Sequence, residues 1–154
     1  MTGDTAKSEL AKSRPAGAWR QGSARRKARK RALDILYESD IRDCDPREVV
    51  QFRQERDEPP VAAYTAELVE GVCASRARID ELLSTYAQGW TLSRMAAVDR
   101  NILRIGVYEL MWRDDVPDPV AIDEAVSLAK ELSTEESPNF VNGLLGRLQL
   151  VKEL

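Results

Sequence analysis

Between Ser93 and Arg113 apolar residues recur at spacings that cover most sides of a helix. Val98, Ile102, Ile105 and Trp112 fall on one face; Leu103, Val107, Leu110 and Met111 fall near another. A helix apolar around so much of its circumference belongs at the centre of a fold, surrounded by other elements. It does not read as a membrane span, because Arg104 and Glu109 interrupt its most apolar part and it falls short of the roughly 20 apolar residues a bilayer requires. The segment Asp114-Asp115-Val116-Pro117-Asp118-Pro119 ends it.

The elements expected to surround it are also helical. Asp45-Pro46-Arg47-Glu48 supplies an N-cap, a first-turn proline and the acid of a capping box. Pro59-Pro60 ends the polar stretch that follows, and Tyr64, Leu68 and Val72 then form a stripe at four-residue spacing. Ile79, Leu82, Leu83 and Tyr86 carry a further helix closed by Gly89. Beyond the central helix, Ile122, Ala125, Val126, Leu128, Ala129 and Leu132 make another. Ser137-Pro138 opens a last helix, with Val141, Leu144, Leu145 and Leu148 inward and Gly143 and Gly146 placed for close helix contact. No segment shows sustained period-two alternation with hairpin turns. The fold class is therefore all-α, six or seven helices joined by short loops, divisible into an N-terminal and a C-terminal sub-bundle.

Residues 1–22, rich in Gly, Ser, Ala and Lys with Trp19 the only aromatic, read as a disordered basic tail, and residues 23–154 as one domain. Ser23 is the expected N-cap of a helix whose core stripe is Ala28, Ala32, Ile35 and Leu36. Arg26, Lys27, Lys30, Arg31 and Asp34 lie largely on its other side.

That helix opens on Arg25-Arg26-Lys27-Ala28-Arg29-Lys30-Arg31, six cations in seven residues. The start of a helix carries a partial positive charge, so cations there are mildly unfavourable and ask for compensation. Residues 1–31 hold ten basic residues against two acids, whereas the rest holds 13 basic and 24 acidic. A basic arm on an acidic body suggests a polyphosphate or a membrane surface. The plainer readings are a solvated charge run, or a match between the arm and the chain's own acidic body.

Other function classes find little support. The chain has no histidine, and Cys44 and Cys73 make neither a disulfide framework nor a metal-ligand cluster. No phosphate loop, nucleophile elbow or paired-cysteine motif occurs, and Glu135-Glu136 reads as solvated surface. No catalytic residue, metal or cofactor is expected. Without an apolar signal segment, the protein is expected in the cytoplasm.

Several motifs, in order, resemble one family. Val98-Asp99-Arg100-Asn101-Ile102-Leu103-Arg104-Ile105-Gly106-Val107-Tyr108-Glu109-Leu110 is similar to the most recognisable segment of the NusB transcription antitermination factors. So are Val116-Pro117, Val120 to Val126, Leu128-Ala129-Lys130 and Phe140-Val141-Asn142-Gly143-Leu144-Leu145. The basic helix with Ala32-Leu33 and Leu36-Tyr37 fits the family's arginine-rich start, with Lys in place of Arg at some positions, and the likeness covers about residues 24–150. The resemblance implies two roughly perpendicular three-helix bundles without catalytic activity. It also implies binding of the boxA element of nascent ribosomal RNA together with NusE, a small-subunit ribosomal protein, in an antitermination complex on RNA polymerase. Both monomers and homodimers are compatible with it.

On that resemblance Arg25, Arg26, Lys27, Arg29 and Lys30 are candidates for RNA contact, acting by phosphate neutralisation. Phe140 is a candidate to stack a base beside Asn139, near a helix N-terminus, or else a packed core residue. Arg104 and Arg100 either extend the basic surface or are ion-paired within the fold. Tyr37 and Glu136 resemble positions that face the protein partner, and the acidic body suits a basic one. Tyr37 reads equally as a core aromatic with its hydroxyl at the surface. Glu109, also a partner candidate, reads more readily as one half of an internal ion pair. The rival functions are a purely protein-binding helical module, a ribosomal RNA maturation factor and a membrane-surface helix; against the last, the basic helix commits its apolar stripe to the core.

Overall fold

The computed structural model describes residues 16–56 and 60–153. Its helices are α1 (Ala16–Arg42), α2 (Pro46–Arg56), α3 (Ala63–Ala74), α4 (Arg76–Tyr86), α5 (Ala97–Trp112), α6 (Asp118–Leu132) and α7 (Ser137–Lys152). A 3-10 turn at Leu92–Arg94 leads into α5, and no strand occurs among the described residues. Residues 1–15 of the expected tail lie outside the described residues. α1 begins at Ala16, so Ser23 is inside the helix and does not cap it. The basic run is therefore well beyond the first turn, where the helix-dipole penalty has faded, and its compensation must come from elsewhere.

Local chemistry accounts for most boundaries. Asp43 takes a left-handed φ of 52° just after α1. The Arg47 N–H donates to Asp45 Oδ1 at 2.9 Å, which makes Asp45 the cap of α2. Gly89, at φ 92°, turns the chain after α4. Ser137 departs from expectation: its buried hydroxyl donates to Asp99 Oδ2 at 3.0 Å rather than capping the helix it opens.

Helices α1, α2 and α3 pack on one another, as do α5, α6 and α7; α4 lies against α5 and α7, and α1 crosses α5 to join the two groups. As expected, α5 is the centre, buried at every residue from Asn101 to Val107. Ile35 and Leu36 of α1, Leu68 of α3, Ile79 and Leu83 of α4, and Leu144, Leu145 and Leu148 of α7 complete the largest fully buried side chains around it. Trp112 is the exception on α5: at the helix end it stays partly exposed and stacks on Tyr108, with ring centroids 6.4 Å apart. The close glycine approaches are not at Gly143 and Gly146. A Cβ on Gly106 would lie 2.8 Å from Leu145 Cδ1, and one on Gly71 would run into the Tyr108 ring, whereas one on Gly146 would meet nothing within 4 Å.

Candidate nucleic-acid interface

The geometry of α1 sorts the basic run into three sets. Arg29 lies on the core side with Ala28, Ala32 and Leu36, its side chain only 4% exposed. Its Nε donates to Glu109 Oε1 at 2.8 Å and its Nη2 to Oε2 at 2.9 Å, and Glu109 is buried on α5. The Tyr64 hydroxyl donates to that same Oε2. Three elements thus converge on one buried carboxylate in a bidentate arrangement, and the remaining Arg29 Nη1 lies 3.7 Å from Glu124 of α6. Arg29 is thereby withdrawn from the RNA-contact candidates and Glu109 from the partner-facing ones, since neither reaches solvent.

Arg104 is withdrawn for the same reason. Its side chain is 5% exposed; Nε donates to Asp80 Oδ1 at 2.9 Å and Nη1 to Asn101 Oδ1 at 3.0 Å. Arg100 Nη2 donates to Asp40 Oδ2 at 2.7 Å. Burial alone would raise the Asp40 pKa, but Arg100, Asn101 and Arg104 together hold it below the ordinary carboxylate value. These arginines tie α1 and α4 to α5 and do not extend the basic surface.

The second set is exposed but paired. Arg25 Nη2 donates to Asp115 Oδ2 at 2.6 Å, and its guanidinium lies 4.3 Å from the Tyr64 ring centroid. Hydrogen bonds from Arg113 and then Arg25 lower the Asp115 pKa to about 2. Arg26 forks onto Glu124 at 3.1 and 2.9 Å, and Lys30 Nζ donates to Glu131 at 2.5 Å. The match between basic arm and acidic body is thus real along one flank of α1, where α6 and the loop before it supply the acids. Such exposed pairs contribute only about 0–1 kcal/mol each, and a phosphate can replace the carboxylate as acceptor.

The third set is Lys27 and Arg31, one turn apart. Among the described residues no carboxylate lies within 4.0 Å of either. With Lys30 they rim a groove of about 580 Å³ whose apolar lining comes from Leu33, Val98 and Leu132. A second groove, of about 350 Å³, holds Trp90, Arg94, Glu136 and Phe140. Phe140 is half-buried and meets Trp90 edge-on at 6.2 Å, while Asn139 and Glu136 are exposed. The grooves are neighbours: Val98 lines one and Asp99 the other, and Leu132 lines one and Thr134 the other. Tyr37, 38% exposed, stands farther along α1.

Arg31 is absent from the RNA-contact candidates drawn from sequence, Leu132 counts there only toward the apolar stripe of its helix, and Trp90 and Arg94 give no notice of themselves. For Arg31 a signal existed, its four-residue spacing from Lys27; Trp90 and Arg94 come from an irregular segment with no period to read.

Comparison with known proteins agrees with this architecture. A sequence model of the NusB family matches residues 26–150. The transcription antitermination protein NusB of Thermobifida fusca is 62% identical over 132 residues, covering 86% of this chain and 92% of that protein. That of an Arthrobacter species is 59% identical over 130 residues, covering 84% and 96%. Among solved structures, NusB of T. maritima superposes with a TM-score of 0.73 at 35% identity, covering 82% of this chain and 90% of that one. A structure of antitermination factors NusB and NusE in complex with double-stranded RNA gives 0.72 at 26% identity, covering 82% and 96%.

Proposed function

The chain belongs to the NusB family, and on that premise we propose that it is a cytoplasmic transcription antitermination factor that binds boxA RNA of nascent ribosomal transcripts together with NusE. The observation that carries the reading is the exposed basic face of α1, with Lys27 and Arg31 lacking a carboxylate partner among the described residues, beside the Phe140 groove. Arg25, Arg26, Lys27, Lys30 and Arg31 neutralise phosphates, giving affinity without sequence information. Phe140 and Asn139 supply a stacking edge and a hydrogen-bonding side chain where an unstacked base is read. Tyr37 and Glu136, both exposed, face NusE, and the pair joins an antitermination complex on RNA polymerase. The role is one of binding, with no catalytic step. A homodimer that covers the basic helix must open before RNA binds, so light scattering should find no dimer in the RNA complex.

The test is binding of a boxA-type RNA and a scrambled control across a salt series, with and without NusE. It compares the wild type with a variant in which Arg25, Arg26, Lys27 and Lys30 are Ala; Arg29 is left intact because it holds the fold. Preference for boxA that NusE strengthens, lost in the variant with a shallower salt slope, supports the reading. No preference in any mixture, or an unaffected variant, leaves a protein-binding helical module instead.

A further inference from the structure

We infer that Arg100 is a positioning residue for RNA recognition, fixing the Trp90–Met95 wall of the Phe140 groove to α1; this rests on the RNA-binding reading above and adds a determinant of its specificity. The wall lies between α4 and α5 and contains the 3-10 turn Leu92–Arg94. Such turns have poor hydrogen-bond geometry and gain from outside support. Arg100, on the first turn of α5, supplies it. Its Nη1 donates to the Leu92 carbonyl at 2.8 Å and to the Met95 carbonyl at 3.4 Å. Its Nε and Nη2 donate to Asp40 Oδ2 of α1 at 2.9 and 2.7 Å. One planar guanidinium thus holds two backbone carbonyls of the wall on one side and a carboxylate of α1 on the other.

The groove depends on this fixing because its two walls come from different parts of the chain. Trp90, Arg94 and Met95 face Glu136, Ser137 and Phe140. The second wall is fastened by the residue just before Arg100: the Ser133 and Ser137 hydroxyls donate to Asp99 Oδ1 and Oδ2 at 2.5 and 3.0 Å. Phe140 follows Ser137 within one turn of α7. Consecutive residues of α5 therefore set both walls, and with them the edge-on contact of Trp90 and Phe140. Through Asp40, Arg100 also fixes the groove relative to the basic helix. A base held at Phe140 and phosphates held on α1 belong to one strand. A fixed separation between those two seats favours the RNA whose base fits and adds nothing to phosphate contacts alone. Arg100 does not itself meet the phosphate: its side chain is 16% exposed and all three of its nitrogens are engaged.

The test compares Arg100→Lys and Arg100→Ala with the wild type. Lysine keeps the charge, but its single ammonium cannot replace a fork that spans both sets of acceptors. Asp40 retains Asn101 Nδ2 at 3.0 Å and Arg104 Nη1 at 3.4 Å in either variant, so the fold should hold, which a thermal melt checks. Gly106→Ala, which disturbs the packing of α5 on α7 without lining the groove, controls for general destabilisation. With NusE present, boxA-type and scrambled RNA are titrated at two salt concentrations. Both Arg100 variants should lose about tenfold in preference for boxA, the size of one stacked base, at unchanged salt slope. Gly106→Ala should keep the wild-type preference. In a background of Trp19→Phe and Trp112→Phe, acrylamide should quench Trp90 more steeply once Arg100 is replaced. Preference retained in both Arg100 variants, or lost equally in Gly106→Ala, would overturn the positioning role while leaving the RNA reading standing. Preference lost with Trp90 quenching unchanged, or with a shallower salt slope, would make Arg100 a direct RNA contact and the inference wrong. A wild type without preference for boxA would overturn both.

Discussion

Charge inside this protein follows partners more than sequence position. Arg29 and Lys30 are neighbours in one basic run, yet Arg29 is buried on Glu109 and Lys30 stands at the surface on Glu131. Arg29→Ala leaves the Glu109 carboxylate buried with the Tyr64 hydroxyl but no cation bonded to it. The expected cost is about 3–5 kcal/mol, read as a fall in the urea midpoint at unchanged slope. Asp115 behaves differently because it is half exposed. Its folded pKa of about 2, against an ordinary 3.8, means that its stabilisation is present above about pH 4 and lost as pH falls toward about 2. Solvent screening holds that contribution under about 1 kcal/mol. Urea midpoints taken across that window should fall less steeply for Asp115→Asn than for the wild type.

At the scale of elements, glycine separates the tight contacts from the loose ones. Gly106 lies where α5 meets α7, with Leu145 Cδ1 2.8 Å and Ala125 Cβ 3.4 Å from any Cβ placed on it. Leu145 is fully buried and has nowhere to move, so Gly106→Ala should destabilise by about 1–3 kcal/mol despite alanine's better helix propensity. Gly146, on α7 with open space around it, should show the opposite sign. There Gly→Ala should stabilise by up to about 1 kcal/mol, and parallel thermal melts of the two variants check the pair. The helices themselves were largely legible in the sequence, because the central position of α5, the Asp45 cap and the Asp114–Pro119 break each follow from local pattern. The glycine contacts were not, since a helical period says which residues turn inward but not which neighbouring side chain waits there. Arg29 sits at the edge of the α1 core stripe, and its burial depends on Glu109, 80 residues away, which no local pattern reveals.

Over the whole molecule, the basic arm and the acidic body suggested by composition are in contact. Glu124 and Glu131 of α6 hold Arg26 and Lys30, so part of the charge offered to a polyanion is already engaged within the fold. Composition revealed the asymmetry; the registry of α1 on α6, which decides which cations are paired, is a tertiary fact. An incoming phosphate must displace these carboxylates. A specific RNA, held also by base contacts, can offset that cost more readily than a random one. Replacing both carboxylates by Gln should therefore strengthen binding of scrambled RNA more than boxA RNA. Each engaged pair is worth less than about 1 kcal/mol, so the gain for scrambled RNA should be at most about fivefold per pair. The salt slope should steepen by about 0.7 for each cation newly free to meet a phosphate. Titrations of both RNAs at two salt concentrations check this, and unchanged or weaker binding of the scrambled strand would mean that the carboxylates hold the cations in place for RNA instead of competing with it.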